Sequence, residues 1–242
     1  MNDNTYSSAI LIVGSLFWDN SSARENWRIN RLLLDKRILV FASIRYGRKS
    51  STRGYTYTMV FSQLCYRKDY GLGNAFLIPC KYHPRSAAEI IYEAAELWKA
   101  EKDLDKDLNL EISRDWGAVG LGINPHSNID ENVILCWAQH YRNQKIKLNI
   151  EQPVSEKPII DEDGILDLKW PKRIDDNTPV SVDFILATAT KPTLFNRRYP
   201  TAQQIAQAWR EDESNNIAYF ENNVENGITT FQDEQIKEYL YK

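Results

Sequence analysis

The chain has little of what most metal and redox sites are built from. Its 242 residues contain three cysteines, three histidines and two methionines. Cys65, Cys80 and Cys136 lie far apart and form no CxxC pair, which argues against a structural zinc site. His83, His126 and His140 show no metal-ligand spacing and read as structural or exposed. An odd cysteine count without a secretory leader suits buried thiols in a reducing cytosol, so a cytoplasmic location is expected. No apolar run is long enough to span a bilayer. The net charge of −3 excludes any global basic signature for nucleic acid or an anionic membrane. A GxSxG elbow is absent, and nothing local ties Ser15 to a His or Asp. Gly71-Leu72-Gly73 opens a strand rather than a helix and lacks the rest of a dinucleotide fingerprint.

Aromatic residues are plentiful, at 12% with seven Trp and thirteen Tyr, which favours a substantial core and a pocket with aromatic walls. The organising stretch is Ile10–Asn20, ILIVGSLFWDN. Its unbroken Ile/Leu/Val run predicts a strand buried on both faces. Gly14 ends the strand, because glycine tolerates backbone angles that other residues avoid and admits close approach to the main chain. The following N–H groups of Ser15 and Leu16 are candidates for holding an anion or a carboxylate. An ordinary turn after a first core strand is the alternative.

Further strands are expected at Ile38–Ile44, Tyr55–Ser62, Gly71–Pro79, Gly117–Ile123, Val133–Gln139 and Val182–Thr190. Ser21–Asp35 reads as a loop or short helix. Ser86–Lys102 is the strongest helix, capped by Ser86 with Glu89 completing a capping box. Thr201–Arg210 is a short amphipathic helix for which Thr201 is a candidate cap, and Asn215–Tyr241 ends in polar helical stretches. Gln144–Pro179 is polar, with several Pro and Asp and no strong period. The expected organisation is a core over 1–143, an insertion or linker over 144–180, and a C-terminal strand and helical extension over 181–242 packed on the core.

Two stretches carry candidate chemistry. Leu97-Trp98-Lys99-Ala100-Glu101 closes the strongest helix, and Leu97 and Glu101, four apart, share a face. Glu93 and Glu96 are the rival carboxylates, with Glu96 turned about 100° from Leu97. Arg45–Gly54, RYGRKSSTRG, follows a strand directly with four cations. Strand-end loops often carry binding residues, and arginine holds carboxylate or phosphate through a bidentate fork. Arg45 is expected to point into a site, helped by Tyr46 and Arg48; a solvated basic hairpin is the alternative. Arg197 and Arg198 either line a pocket or are solvated.

The Val13-Gly14-Ser15-Leu16 turn followed by Trp18 resembles the opening of the γ-glutamylcyclotransferase family, a hydrophobic strand running into Tyr-Gly-Ser-Leu and then Trp. The helix end resembles that family's Leu-Asp-x-x-Glu. This chain has Val13 where the family has Tyr, Trp98 where it has Asp, and Lys102 where it has Gly. The resemblance spans roughly the first three-fifths of the chain. It implies a mixed α/β (α+β) fold: a small barrel-like sheet with packed helices. It also implies a small γ-glutamyl substrate cyclised to 5-oxoproline, with no metal or cofactor. Glu101 would be the general acid/base, and Val13, Gly14, Ser15 and Leu16 the main-chain cradle. Arg45, with Tyr46 and Arg48, is the expected carboxylate anchor. A non-catalytic module that keeps the fold and binds a small ligand or a protein is the other expectation.

Overall fold

The computed structural model describes residues 5–51, 54–104, 110–144, 156–211 and 216–242. Its frame is a six-stranded mixed sheet in the order β2-β5-β1-β8-β7-β6. The strands are β1 (Ser8–Ile12), β2 (Ile38–Ala42), β5 (Gly73–Pro79), β6 (Ser113–Arg114), β7 (Gly117–Ile123) and β8 (Phe184–Thr190). β1 pairs antiparallel with β5 and parallel with β8. β3 (Ile44–Ser50) and β4 (Thr56–Phe61) form a separate antiparallel ribbon.

All five residues of β1 are buried, because both sheet faces are covered. Strand alternation sends Ile10 and Ile12 to one face and Ala9 and Leu11 to the other. The first face is covered by α1 (Ser22–Arg31), α2 (Ala87–Lys102) and α3 (Glu131–Asn143), which bring Trp27, Trp98 and Trp137. The second is covered by the ribbon and by α4 (Ala202–Glu211), α5 (Asn216–Glu225) and α6 (Asp233–Leu240), with Tyr46, Trp209 and Phe220 at its centre.

Helix signals read from sequence have direct counterparts. Ser86 Oγ accepts from Glu89 N at 3.4 Å, and the Glu89 carboxylate reaches back to Arg85 N at 2.7 Å. Thr201 Oγ1 accepts from Gln204 N at 3.2 Å, while Gln204 Oε1 accepts from Thr201 N at 2.9 Å. The Thr201–Gln204 pair is a reciprocal capping box; at α2 the Glu89 carboxylate accepts one residue before the N-cap Ser86, so that box closes on Arg85 N instead.

One expected strand is a helix. Val133–Gln139 lies within α3, whose start is capped by Asp130 Oδ1 accepting from Asn132 N at 2.8 Å. A short apolar run does not distinguish the two periods. Tertiary packing decides: Val133, Trp137 and Tyr141 sit on one helical face against the core, while Leu135 is 61% exposed. Trp137 Nε1 donates to Gly164 O at 3.2 Å.

The described part of 144–180 is docked on the sheet. Leu121 N donates to Gly164 O and Leu166 N to Leu121 O, each at 2.9 Å. Ile159, Ile160, Leu166 and Val180 are buried. Beyond it, β8 lies between β1 and β7, so the C-terminal stretch supplies an inner strand as well as covering helices. Residues 1–4, 52–53, 105–109, 145–155 and 212–215 lie outside the described residues. They hold part of the expected lead-in, of the Arg45–Gly54 segment with Arg53, of the Glu101–Asp107 charged run, of the 144–180 stretch, and the start of Asn215–Tyr241.

Among the described residues, no helix is long and apolar enough to cross a membrane. None of their His, Cys, Asp and Glu side chains gather into a group of three or more able to hold a metal ion.

Asp233 gives the C-terminal layer a pH dependence. It is buried at the start of α6, with Thr230 Oγ1 donating to Oδ1 at 2.5 Å. Burial raises its pKa to about 6, against hydrogen bonds from Thr230 and the charge of Lys237, which lower it. The native state thus holds this proton more tightly than the unfolded chain. The stabilisation is present at acid pH and is lost as pH rises from near 4 to about 6. A rise of that size corresponds to roughly 3 kcal/mol as an upper bound. Asp233→Asn keeps an acceptor for Thr230 and removes the titration. Its urea-unfolding free energy should exceed wild type at about pH 7.5 and converge with it near pH 4. Parallel pH profiles for the two proteins would rule Asp233 out as the source.

Candidate functional site

A cavity of about 440 Å³ opens beside the end of β1, within the range usual for small-molecule sites. Val13, Ser15 and Leu16 line it, and so does Glu101, 85 residues after Leu16. Arg48, Ser50, Thr58 and Met59 enter from the ribbon. Thr188 and Thr190 come from β8, Asp115 and Trp116 from the β6–β7 turn, and Tyr219 from α5.

Gly14–Leu16 forms a single 3-10 turn. Such a first turn leaves its leading N–H groups without intrahelical acceptors. Gly14 has φ +64°, and a Cβ there would lie 2.5 Å from Tyr219 Oη. The left-handed conformation favours glycine at this position, and a Cβ would also have to displace the Tyr219 hydroxyl. Trp18 packs edge-on against Tyr219 at 5.7 Å and donates from Nε1 to Asn223 Oδ1 at 2.8 Å, holding α5 against the turn.

Glu101 is half-buried in the last turn of α2. Its two rivals are committed elsewhere. Glu93 is buried and paired with Arg31, whose Nε donates to Oε2 at 3.2 Å. Burial raises the Glu93 pKa against the opposing effect of Arg31. Glu96 pairs with Lys99 on the same helix. Neither lines the cavity.

Lys102 also lines the cavity, with its ammonium 2.8 Å from Glu111 Oε2. Arg114 Nε donates to Glu111 Oε1 at 2.7 Å. The Arg48 guanidinium lies 4.6 Å above the Trp116 ring, and Trp116 stacks on the fully buried Trp98 at 4.7 Å. The hydroxyls of Thr188 and Thr190 are buried without a protein partner. The wall is therefore mostly cationic and hydroxylic, with Glu101 and Asp115 as its acids.

Of the expected site residues, Val13, Ser15, Leu16, Arg48 and Glu101 line one cavity, with Gly14 supplying the turn. Arg45 and Tyr46 do not line it. Arg45 is buried, its guanidinium 4.2 Å from the Tyr199 ring, 5.5 Å from Phe231 and 5.8 Å from Tyr70. Nη2 donates to Pro200 O at 3.4 Å, and desolvation lowers the pKa despite the nearby Cys65, Tyr199, Tyr70 and Glu156. Rings from three distant parts of the chain enclose this cation, which no local pattern announces. Tyr46 is fully buried against Trp209, its hydroxyl pKa pushed well up by desolvation first and by Asp233 and Tyr219 next. A register shift between Tyr46 and Arg48 separates these two from Arg48 along the ribbon. Arg197 and Arg198 are exposed at a tight turn and are absent from the cavity wall.

The sequence reading missed Arg24, Arg114, Asp115, Trp116, Thr188, Thr190 and Tyr219 as wall residues. Thr188 and Thr190, two apart on a strand, carried the one available signal, since they share a face. Compared with known proteins, the chain matches no family model, no curated protein and no solved structure.

Proposed function

We propose that this chain is a γ-glutamylcyclotransferase-like enzyme that cyclises a γ-glutamyl amine or peptide to 5-oxoproline. One observation carries the reading: the Val13–Leu16 turn and Glu101, 85 residues beyond its end in sequence, line the same small-molecule-sized cavity.

The chemistry asks little of the protein. The substrate's α-nitrogen attacks its own γ-carbonyl, a C–N bond closes the five-membered lactam, and the C–N bond to the departing amine breaks. Because the attack is intramolecular, holding the substrate folded supplies much of the rate. Glu101 takes a proton from the attacking ammonium and returns one to the leaving amine. N–H groups of the Gly14–Leu16 turn stabilise charge on the carbonyl oxygen. Arg48 replaces Arg45 as the carboxylate anchor, because it is the arginine of that segment on the wall.

A second reading has its own support. Arg48, with the buried hydroxyls of Thr188 and Thr190 on the same wall, suits a module that binds a small anionic ligand without turnover. Incubating the protein with a panel of γ-glutamyl amino acids, amines and peptides separates the two. Equimolar 5-oxoproline and free amine are expected. A folded protein that shifts its melting temperature with panel members and releases no 5-oxoproline would establish the binder instead.

A further inference from the structure

We propose that Arg24 is a positioning residue that locks the Gly14–Leu16 turn to the Glu101 end of α2. Its catalytic consequence rests on the cyclotransferase reading; the mechanical linkage does not.

Arg24 and Arg28 lie four residues apart on α1 and so share a face, and each is 6% exposed. Arg28 holds the turn. Its Nη1 donates to Leu16 O at 2.9 Å and its Nη2 to Asp19 O at 2.8 Å. The turn in turn holds Asp19, whose N–H donates to Ser15 O at 2.8 Å. Arg24 adds the link across. Nη1 donates to Asp19 Oδ2 at 2.5 Å, while Nε donates to Ala100 O at 3.1 Å and Nη2 to Glu101 O at 3.3 Å.

Ala100 and Glu101 lie in the last turn of α2, where the Ala100 carbonyl also accepts from Asp103 N at 3.2 Å and the helix C-terminus favours a nearby cation. All three guanidinium nitrogens of Arg24 are thus directed at protein acceptors. The side chain lines the cavity, yet its hydrogen bonds are spent on the walls. One planar fork reaches two elements at once; a lysine ammonium, a point charge on a flexible stem, does not reproduce that geometry.

The test compares wild type with Arg24→Lys, Arg24→Gln and the double variant Asp19→Asn/Arg24→Gln. Removing one partner leaves a buried charge uncompensated, so Arg24→Gln alone is at risk of unfolding; the double variant removes both charges. In Arg24→Lys and in the double variant, kcat for 5-oxoproline release should fall by about 10²-fold with KM changed far less, the size expected of a misplaced catalytic group. Hydrogen–deuterium exchange, read well below the melting temperature, gives an arm independent of activity. Amides of Leu16–Asp19 and of Lys102–Leu104 should exchange at least tenfold faster together in Arg24→Lys, with α3 unchanged. Exchange altered at only one of the two segments, or at neither, overturns the linkage whatever the enzyme does. Full kcat in Arg24→Lys overturns its catalytic consequence. Wild type without turnover on the panel would refute the cyclotransferase reading and leave the exchange data to decide on Arg24.

Discussion

Glu101→Gln is expected to lower 5-oxoproline release by about 10²- to 10⁴-fold, the range typical for loss of a general acid/base. The substitution preserves shape and removes only the proton-transfer capacity. Glu101's structural contact is made by its backbone carbonyl, which accepts from Arg24 and is untouched by the side-chain change. Stability should therefore stay within about 0.5 kcal/mol of wild type, as for substitutions that leave packing intact. The control is Glu96→Gln. Glu96 pairs with Lys99 within α2 and is absent from the cavity wall, so its loss should leave kcat near wild type. Rates of the two variants would be read by quantifying 5-oxoproline against released amine. A Glu101→Gln protein that keeps the wild-type rate would remove Glu101 from the mechanism and move the search for a base to Asp115.

The largest expected effect on stability is at Trp98. Its ring has no exposed surface and stacks on Trp116 at 4.7 Å with 24° between planes. Trp98→Ala should cost about 3–5 kcal/mol in urea unfolding, through lost transfer energy and the cavity left behind. Trp116 lines the site, so this variant should also weaken substrate binding in whatever fraction remains folded. The Trp98 indole N–H is buried without a partner. Trp98→Phe removes that unsatisfied donor and most of the stack survives; a cost under about 1.5 kcal/mol is expected. Trp98→Asp should be the worst of the three, because it buries a carboxylate in an apolar layer. A Trp98→Asp protein as stable as wild type would mean that this position is not core in solution.

Trp98 shows how a motif departure acquires a physical meaning. Set beside the motif it resembles, it stands where that motif has aspartate. In the fold it is a core ring that props the cavity wall through Trp116. Lys102, where the motif has glycine, pairs with Glu111 across the β6 side of the cavity. Val13 stands in extended conformation at the start of the turn and lines the cavity beside Tyr219, which arrives from α5.

The local elements were legible because their signals are local. The apolar run of β1, the glycine that ends it and the caps at Ser86 and Thr201 act within a few residues, and the structure carries each of them. Val13, Ser15, Leu16 and Glu101 were singled out through two short motifs and Arg48 through a basic segment after a strand; the structure brings these five, though not Arg45, to one cavity. Sequence could not place what depends on distant packing. The Val133–Gln139 run became helical because Trp137 and Tyr141 find the core on a 3.6-residue period. Arg45 was drawn away by rings at positions 70, 199 and 231. The parallel β1–β8 pairing joins residues about 175 apart, and such long-range register leaves no trace in a local window. Arg24 illustrates the division most plainly. The sequence left Ser21–Asp35 open between a loop and a short helix; as a helix, its four-residue spacing puts Arg24 and Arg28 on one face. Only the tertiary structure decided that this face would meet the Asp19 carboxylate and the last-turn carbonyls of α2, because those acceptors are brought together by the sheet beneath them.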